Sequence, residues 1–316
     1  MGITRVATAH AFEASITRIG QRSAELTELQ DQLSAGKRVL RASDDPVAAT
    51  LAEREHNRLL RTEADTRALE RSRSSLQLAE GAVGQMGALL GRFQELLVQG
   101  SNSVLTESDR RTISLEMRGL RDQLLNLANV QDAEGNALLG GLGVTHASGR
   151  PFEQVGPPTS VTPHLLAGQA AATEVGLPNR VDGDFALRNL ASVDPDVVGN
   201  TDLFAIMQRA IDRLEDPALS TSARSAALAH AIADLQTGQD RLLLVRGRLG
   251  ELLQRADSIG SLLQDRSVAG QQALSQLTDL DMVRAISEFQ TRQMGLQAAL
   301  QSYGQVQRLS LFQFIA

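Results

Sequence analysis

The sequence predicts a mainly α-helical protein: an elongated rod of long antiparallel helices, with a small β-rich or irregular domain inserted in the middle. Apolar residues recur every three or four positions through the first and last thirds of the chain, which is the helical period. Glycine and proline are dense between residues 140 and 200, where no such period survives. Aromatic residues make up 3% of the chain and tryptophan is absent, so we expect an aliphatic core between helices packed side by side.

Two helices at the ends of the chain carry apolar stripes. The first is predicted from about Thr4 to Ser34, with a seven-residue repeat typical of a coiled-coil seam, and Gly36 is expected to end it. The second begins near Met282 and ends in an apolar tip. We expect the two stripes to pack on each other and on other copies of the chain. The predicted assembly residues are Phe12, Ile16, Ile19, Leu26 and Leu33 in the first helix and Ile286, Phe289, Leu296, Leu300, Tyr303, Phe312 and Phe314 in the second.

Longer helices are predicted between these ends and the irregular middle. One runs from Pro46 to about Gln99, and Thr106 with Asp109 has the pattern of a capping box that starts another. A very long helix is predicted from about Ser222 to Leu277. A helix of that length is too long for a globular core and needs a partner of matching length, which the helix beginning at Pro46 provides.

These helices give a nested organisation in which the first pairs with the last and the long internal helices pair with each other. We therefore divide the chain into five segments. They are residues 1–40, the N-terminal helix of an inner core domain; 41–139, the first half of a helical rod domain; 140–200, the small outer domain; 201–278, the second half of the rod; and 279–316, the C-terminal helix of the inner domain.

A short charged loop separates the first two segments. Asp44 and Asp45 precede Pro46, a pattern that starts helices because a carboxylate accepts from free N–H groups and proline loses no hydrogen bond at the first position. We predict helix capping for the two carboxylates rather than acid–base or metal chemistry. Lys37, Arg38 and Arg41 form a small basic cluster nearby. Two interpretations of that cluster stay open: a solvated loop, or an ion-pair site between subunits.

Composition and charge exclude several function classes. Cysteine is absent, which excludes disulfides and thiolate chemistry, and the net charge of −6 disfavours nucleic-acid binding, which needs a basic face. The first 21 residues lack the uninterrupted apolar region of a secretory signal peptide, and no stretch is apolar for long enough to span a membrane. We expect partners that are neither nucleic acid nor membrane.

Enzymatic chemistry is also not predicted. The histidines show no metal-ligand spacing along the sequence, and neither an H-E-x-x-H nor a G-x-S-x-G motif occurs. We therefore predict a protein that is not an enzyme, with no catalytic residues, no cofactor and no metal site. The five histidines are His10, His56, His146, His164 and His230.

Several motifs resemble one known family. Residues 32–39 (QLSAGKRV) followed by 43–46 (SDDP) resemble the N-terminal signature of bacterial flagellins and flagellar hook-associated proteins. Residues 132–141 (DAEGNALLGG) look like the point where the helical core of that family gives way to its outer domain. Residues 245–257 are similar to its long C-terminal helix, and 295–314 resemble the C-terminal segment of its hook–filament junction members.

The resemblance implies a flagellin-like rod and a structural subunit of the bacterial flagellum. Such a subunit forms the junction between hook and filament, adapts the first hook-associated protein to the flagellin filament and templates filament growth. The implied partners are other copies of the chain, the first hook-associated protein, flagellin, an export chaperone and the type III export apparatus. The implied location is extracellular, reached without a cleaved signal peptide. A minor filament flagellin is the alternative, and a cytoplasmic coiled-coil adaptor is a more distant one.

Overall fold

The computed structural model describes residues 2–155, 160–169 and 176–315, with side chains described at 13–154, 161–169 and 176–305. Within that part the chain forms seven helices and six short strands. The helices are α1 (Gly2–Ala35), α2 (Pro46–Gly100), α3 (Glu107–Ala128), α4 (Gly183–Leu187), α5 (Leu203–Glu215), α6 (Thr221–Thr278) and α7 (Met282–Ile315). The strands are β1 (Gly143–Val144), β2 (Phe152–Val155), β3 (Ser160–Pro163), β4 (Leu165–Leu166), β5 (Leu190–Ala191) and β6 (Asn200–Thr201). The mainly helical fold class predicted from the sequence is confirmed.

Packing divides the chain into two compact units. The first unit comprises residues 1–62 and 265–316, and the second comprises residues 63–264. Both boundaries fall inside long helices, α2 and α6. The five-segment division drawn from the sequence stays a prediction. Among the described residues, none of the helices has the length and apolar content that a membrane-spanning segment requires.

In the first unit α1 and α7 lie side by side and antiparallel. The guanidinium of Arg22 donates to the backbone oxygen of Gly295 over 3.0 Å. The backbone N–H of Leu280, just before α7, donates to the backbone oxygen of Gly36, just after α1, also over 3.0 Å. The end of α1 therefore lies beside the start of α7, so the two helices run in opposite directions. Leu29, which is 6% exposed, is the most buried apolar side chain described on α1.

In the second unit α2 and α6 are also antiparallel. Arg246 Nε donates to Glu80 Oε1 over 2.6 Å, and Gly260 lies against the side chain of Leu69 further back along α2. The later part of α2 carries an apolar stripe that is buried in one cluster with α3, α5 and α6. Removing such a stripe from water stabilises the unit by about 25 cal/mol for each Å² of apolar surface. Members of this core include Leu76, Met86, Leu90, Phe93, Leu97, Met117, Leu124, Met207, Ile211, Leu228, Leu235 and Leu242.

Side-chain caps fix several helix starts. The hydroxyl of Thr106 accepts from the backbone N–H of Asp109, whose carboxylate accepts from the N–H of Thr106, so the capping box predicted for α3 is confirmed. Asp202 caps α5 by accepting from the N–H of Ala205 over 2.8 Å. Burial raises the pKa of the Asp202 carboxyl above its ordinary value, although that N–H opposes the shift.

The middle of the chain forms three two-stranded antiparallel sheets, β1 with β4, β2 with β3, and β5 with β6. Strands of two to four residues are too short to enclose a core of their own. Their buried side chains instead join the cluster formed by the helices, as Phe152 of β2 and Leu190 of β5 do. The segment is therefore part of the second unit in packing terms.

A buried ion pair anchors the segment before β6 to α5. Asp194 accepts from Arg213 in a bidentate arrangement, with Nη1–Oδ2 and Nη2–Oδ1 distances of 2.6 and 3.1 Å. Burial is the largest single influence on the Asp194 carboxyl and by itself would raise its pKa. The hydrogen bonds from Arg213 and from the N–H of Asp196, together with the nearby arginine charges, hold the pKa below the ordinary value.

Candidate assembly surface

The predicted assembly residues of the first unit fall into two groups. Ile19, Leu26 and Leu33 on α1, with Phe289, Leu296 and Tyr303 on α7, are partly buried in this single chain. Ile16, Ile286 and Leu300 are exposed, the last two at 47% and 50%. The side chains of Phe12, Phe312 and Phe314 lie outside the described part of the structure.

The exposed apolar residues of α7 share one face of the helix. At 100° per residue, the stripe they form spans roughly 120°. It lies next to the face that carries the partly buried residues, so α7 presents one apolar stripe to α1 and a second to solvent. The solvent-facing residues are Met282, Val283, Ile286, Met294 and Leu300.

Several members of these surfaces are not among the predicted assembly residues. Leu29 is one of them, although it lies beside the predicted seven-residue repeat and is the most buried apolar side chain described on α1. Val283, which is 82% exposed, and Met294 were also not predicted. A strict seven-residue repeat follows a seam of 3.5 residues per turn, whereas a straight helix has 3.6, so the contact line drifts from the repeat along the helix. Counting apolar positions at 100° per residue, rather than by sevens, finds the second stripe.

The loop after α1 is joined to the loop before α7. Gly36 has a φ of +68°, which turns the chain out of the helix. Beyond it the backbone N–H of Arg38 donates to the oxygen of Thr278 over 2.8 Å, and Lys37 and Asp279 form an antiparallel bridge. The Arg38 guanidinium donates to the oxygen of Leu277 over 2.8 Å and therefore fills a free carbonyl at the end of α6. We call this set of contacts the loop clasp.

Asp44 and Asp45 have different roles in this region. Asp45 accepts from the N–H of Ala48 over 2.9 Å, the position of a helix cap for α2, and also from Arg38 Nη1 over 3.0 Å. Asp44 instead accepts from the backbone N–H groups of Leu40 and Arg41, at 3.0 and 2.7 Å, and so closes the loop before the helix. The side chain of Asp44 is one step too far from the helix to reach its free N–H groups.

The same hydrogen bonds lower the pKa values of these carboxyls. The N–H of Arg41 contributes most for Asp44, while for Asp45 the N–H of Ala48 contributes most, followed by Arg38. The hydroxyl of Ser275 is the largest cause of the lowered pKa of Asp279, and the charge of Lys37 contributes a smaller part. All three are therefore charged at neutral pH.

The structure bears on the two interpretations of the basic cluster. Arg38 makes both of its contacts within its own chain, with Asp45 and with the end of α6, so it is neither freely solvated nor available as it stands to another subunit. The side chain of Lys37 is exposed and interacts with the Asp279 carboxylate only through its charge, apart from the backbone bridge between the two residues. An ion pair between subunits therefore remains a prediction for Lys37 more than for Arg38.

Comparison with known proteins gives consistent matches that together cover nearly the whole chain. The model of the bacterial flagellin N-terminal helical region matches residues 6–143. Flagellar hook-associated protein 3 of Escherichia coli K12 is 30% identical over 98% of this chain and 99% of its own length. The crystal structure of Xanthomonas campestris FlgL aligns with a TM-score of 0.59 at 18% identity, covering 71% of this chain and 99% of that one. The flagellar junction protein FlgL from Legionella pneumophila aligns with a TM-score of 0.55 at 16% identity, covering 66% and 99%.

Proposed function

The chain belongs to the flagellar hook-associated protein 3 family, and on that premise we propose that it forms the junction between the hook and the filament of a bacterial flagellum. The observation that carries the proposal is the similarity to the Escherichia coli protein over nearly the full length of both chains. Solved relatives share the fold, and one of them is described as a flagellar junction protein. The protein acts as a structural subunit, and no catalytic activity is proposed for it.

The first unit supplies a physical reason for assembly. Two paired helices bury one stripe of α7 and leave the second stripe in water, where Ile286 and Leu300 are about half exposed. Covering such a stripe with helices of neighbouring copies removes apolar surface from water, which is the main favourable term in association. We therefore propose that the α7 stripe is the surface through which the chain joins other subunits, and that Phe12, Phe312 and Phe314 also take part in assembly.

The proposed partners follow from the position of a junction subunit. Other copies of the chain complete the ring, the first hook-associated protein lies on the hook side, and flagellin adds on the filament side. Before assembly, an export chaperone covers α7 and the type III export apparatus carries the chain out of the cell without cleavage of a signal peptide. The exposed apolar stripe supports the chaperone proposal, because an uncovered stripe in the cytoplasm promotes premature association.

Electron microscopy of cells lacking the gene tests the junction role. We expect hooks without filaments, with flagellin shed into the medium, and recovery of filaments when the full chain is supplied from a plasmid. A chain lacking residues 282–316 should accumulate as a folded protein and fail to restore filaments, because it lacks the whole of α7. Normal filaments in the deletion strain, or recovery by the truncated chain, would contradict the proposal.

A second measurement separates the junction role from a minor filament flagellin. Full-length similarity to a hook-associated protein supports the junction role. The purified chain is added to hook fragments that carry the first hook-associated protein and is followed by electron microscopy. A junction subunit should add to the tip of these fragments and stop, because the next layer must be made by a different protein, flagellin. Continued growth into long filaments of this chain alone would favour the flagellin alternative.

A further inference from the structure

Three side chains of the types that bind metals meet in the second unit, whereas the proposed assembly surface belongs to the first. His146 follows β1, Glu153 lies in β2 and His164 separates β3 from β4. The backbone brings them together. The backbone N–H of His164 donates to the oxygen of Pro151 over 2.6 Å, and the backbone oxygen of His164 accepts from the N–H of Thr145, also over 2.6 Å. The antiparallel pairing of β2 with β3 completes the arrangement. The backbone alone therefore preorganises the cluster.

The distances within the cluster suit a metal ion. Glu153 Oε2 lies 3.2 Å from His164 Nε2 and 3.5 Å from His146 Nδ1, and the three ligand atoms all lie within 4.8 Å of one another. In a tetrahedral zinc site with bonds of ~2.0–2.1 Å, two ligand atoms lie roughly 3.3 Å apart. The carboxylate oxygen thus has the right separation from each imidazole nitrogen to share an ion with it.

The hydrogen bonding of the cluster leaves room for a ligand. Nε2 of His164 is buried and makes no hydrogen bond in the described part of the structure, although Glu153 Oε2 lies 3.2 Å away as an ionic neighbour. A buried polar atom that makes no hydrogen bond costs free energy, and a bound ion would remove that cost. Nδ1 of His146 lies 2.8 Å from the hydroxyl of Ser148 and accepts from its backbone N–H over 3.3 Å, so a bound ion would replace these contacts and the hydroxyl is a candidate neutral oxygen ligand.

Both imidazoles face one carboxylate. The rings of His146 and His164 are stacked with their centroids 4.3 Å apart, and Glu153 Oε2 lies within 3.5 Å of a nitrogen of each. Histidine binds a metal through the lone pair of its neutral ring, which lies in the ring plane, so one ring would turn out of the stack for both to share an ion.

We propose that His146, Glu153 and His164 bind one divalent first-row transition-metal ion of the zinc type. Two imidazoles and one carboxylate leave a fourth position, for water or for the Ser148 hydroxyl. The ion joins the loop after β1 to β2, through Glu153, and to the residue that follows β3, His164. Since these strands are short, an added cross-link holds this part of the second unit in one conformation. The site is independent of the proposed junction role, and neither depends on the other.

Zinc binding by the purified full chain tests the site. After treatment with a chelator and dialysis, the chain is titrated with zinc chloride in a calorimeter, and cobalt(II) chloride is used to read the coordination number from its absorption spectrum. We expect one ion per chain, a cobalt spectrum of low coordination number and a rise in the melting temperature with zinc.

Matched variants assign the binding to these residues. Glu153→Gln keeps the size of the side chain and should weaken zinc binding at least about tenfold, because even outer-shell changes cost ~10- to 100-fold. His164→Ala and His146→Ala should act in the same direction, while His56→Ala, on the exposed surface of α2, should bind as the wild type does. Circular dichroism checks that each variant is folded. The proposal is overturned if the wild type binds no zinc, if Glu153→Gln binds as tightly as wild type, or if His56→Ala is equally impaired.

Discussion

Replacing either of two glycines of the first unit by alanine should change stability in opposite directions. Gly20 lies in the middle of α1, whereas Gly36 follows its last turn with a φ of +68°. A Cβ atom added at either position would meet no heavy atom within 4 Å, so packing does not distinguish them. The backbone conformation is the difference that remains, which makes the pair a clean comparison of helix propensity with left-handed strain.

The expected magnitudes follow from these conformations. At Gly20, alanine removes the entropy cost of glycine in a helix and should raise the free energy of unfolding by roughly 0.5–1 kcal/mol. At Gly36, alanine must adopt the left-handed region, which costs roughly 1–2 kcal/mol. The loop clasp prevents an easy escape, because the oxygen of Gly36 accepts from Leu280 and the N–H of Lys37 donates to Gln32. The free energy of unfolding of Gly36→Asn should lie between those of the wild type and Gly36→Ala, since asparagine tolerates this conformation better than alanine.

Urea denaturation followed by circular dichroism measures the two changes, and amide hydrogen exchange in α1 reports the first unit locally. The exchange reading matters because two compact units need not unfold in one transition. The expected result is slower exchange in Gly20→Ala and faster exchange in Gly36→Ala, relative to the wild type. If Gly36→Ala were as stable as the wild type, or if both variants shifted in the same direction, the assignment of strain to Gly36 would be refuted.

Three further predictions concern buried carboxylates and the assembly stripe. Asp194→Asn leaves Arg213 without its buried partner and should lower the free energy of unfolding by about 3 kcal/mol. Because the pKa of Asp194 is lowered in the folded state, its contribution is present above the unfolded pKa and is lost as pH falls through the folded pKa, so the variant and wild type should converge in acid denaturation curves. The Asp202 carboxyl has a raised pKa in the folded state, so its contribution to the free energy of unfolding is largest at low pH and is lost as pH rises through the folded pKa. Asp202→Asn keeps a helix cap and should therefore be more stable than the wild type at neutral pH. In acid denaturation curves this gain should vanish below pH 3.8, the ordinary pKa of the carboxyl. Ile286→Asp should leave the melting temperature of the isolated chain nearly unchanged, since the side chain is exposed, yet abolish filament recovery in cells lacking the gene. Leu115→Asp is the matched control, because it places the same charge on another exposed helix surface, and it should restore filaments. The reverse outcome would contradict the stripe as an interface.

Features that depend on neighbouring residues were predictable from the sequence. The capping box of Thr106 and Asp109 is one example, because four consecutive residues contain all its atoms. The end of α1 at Gly36 is another, since a glycine after an apolar repeat supplies the conformation that stops a helix. The long helices follow from periodicity, and their pairing follows from their matching lengths.

Features that join distant parts of the chain were not predictable in the same way. Nothing in the sequence near Arg38 indicates that its guanidinium reaches Leu277, and this contact changes how the basic cluster is interpreted. His146 and His164 are far apart in sequence and are brought into contact by the pairing of β1 with β4 and by the backbone hydrogen bond from Thr145 to His164. A search for local ligand spacing therefore passed over them, because short metal motifs describe ligands on one turn or helix rather than across strands.

The pairing of α1 with α7 has a consequence for the order in which the protein is made. The second unit is one continuous stretch, residues 63–264, so all of its residues leave the ribosome while α7 is still being translated. The first unit needs segments on both sides of the second, residues 1–62 and 265–316, so α1 has no α7 beside it until residues 282–315 have been made. A chain that ends between residues 264 and 282 therefore has a complete second unit and an unpaired α1. The α7 stripe that we propose as the joining surface is present only on chains in which the first unit can form.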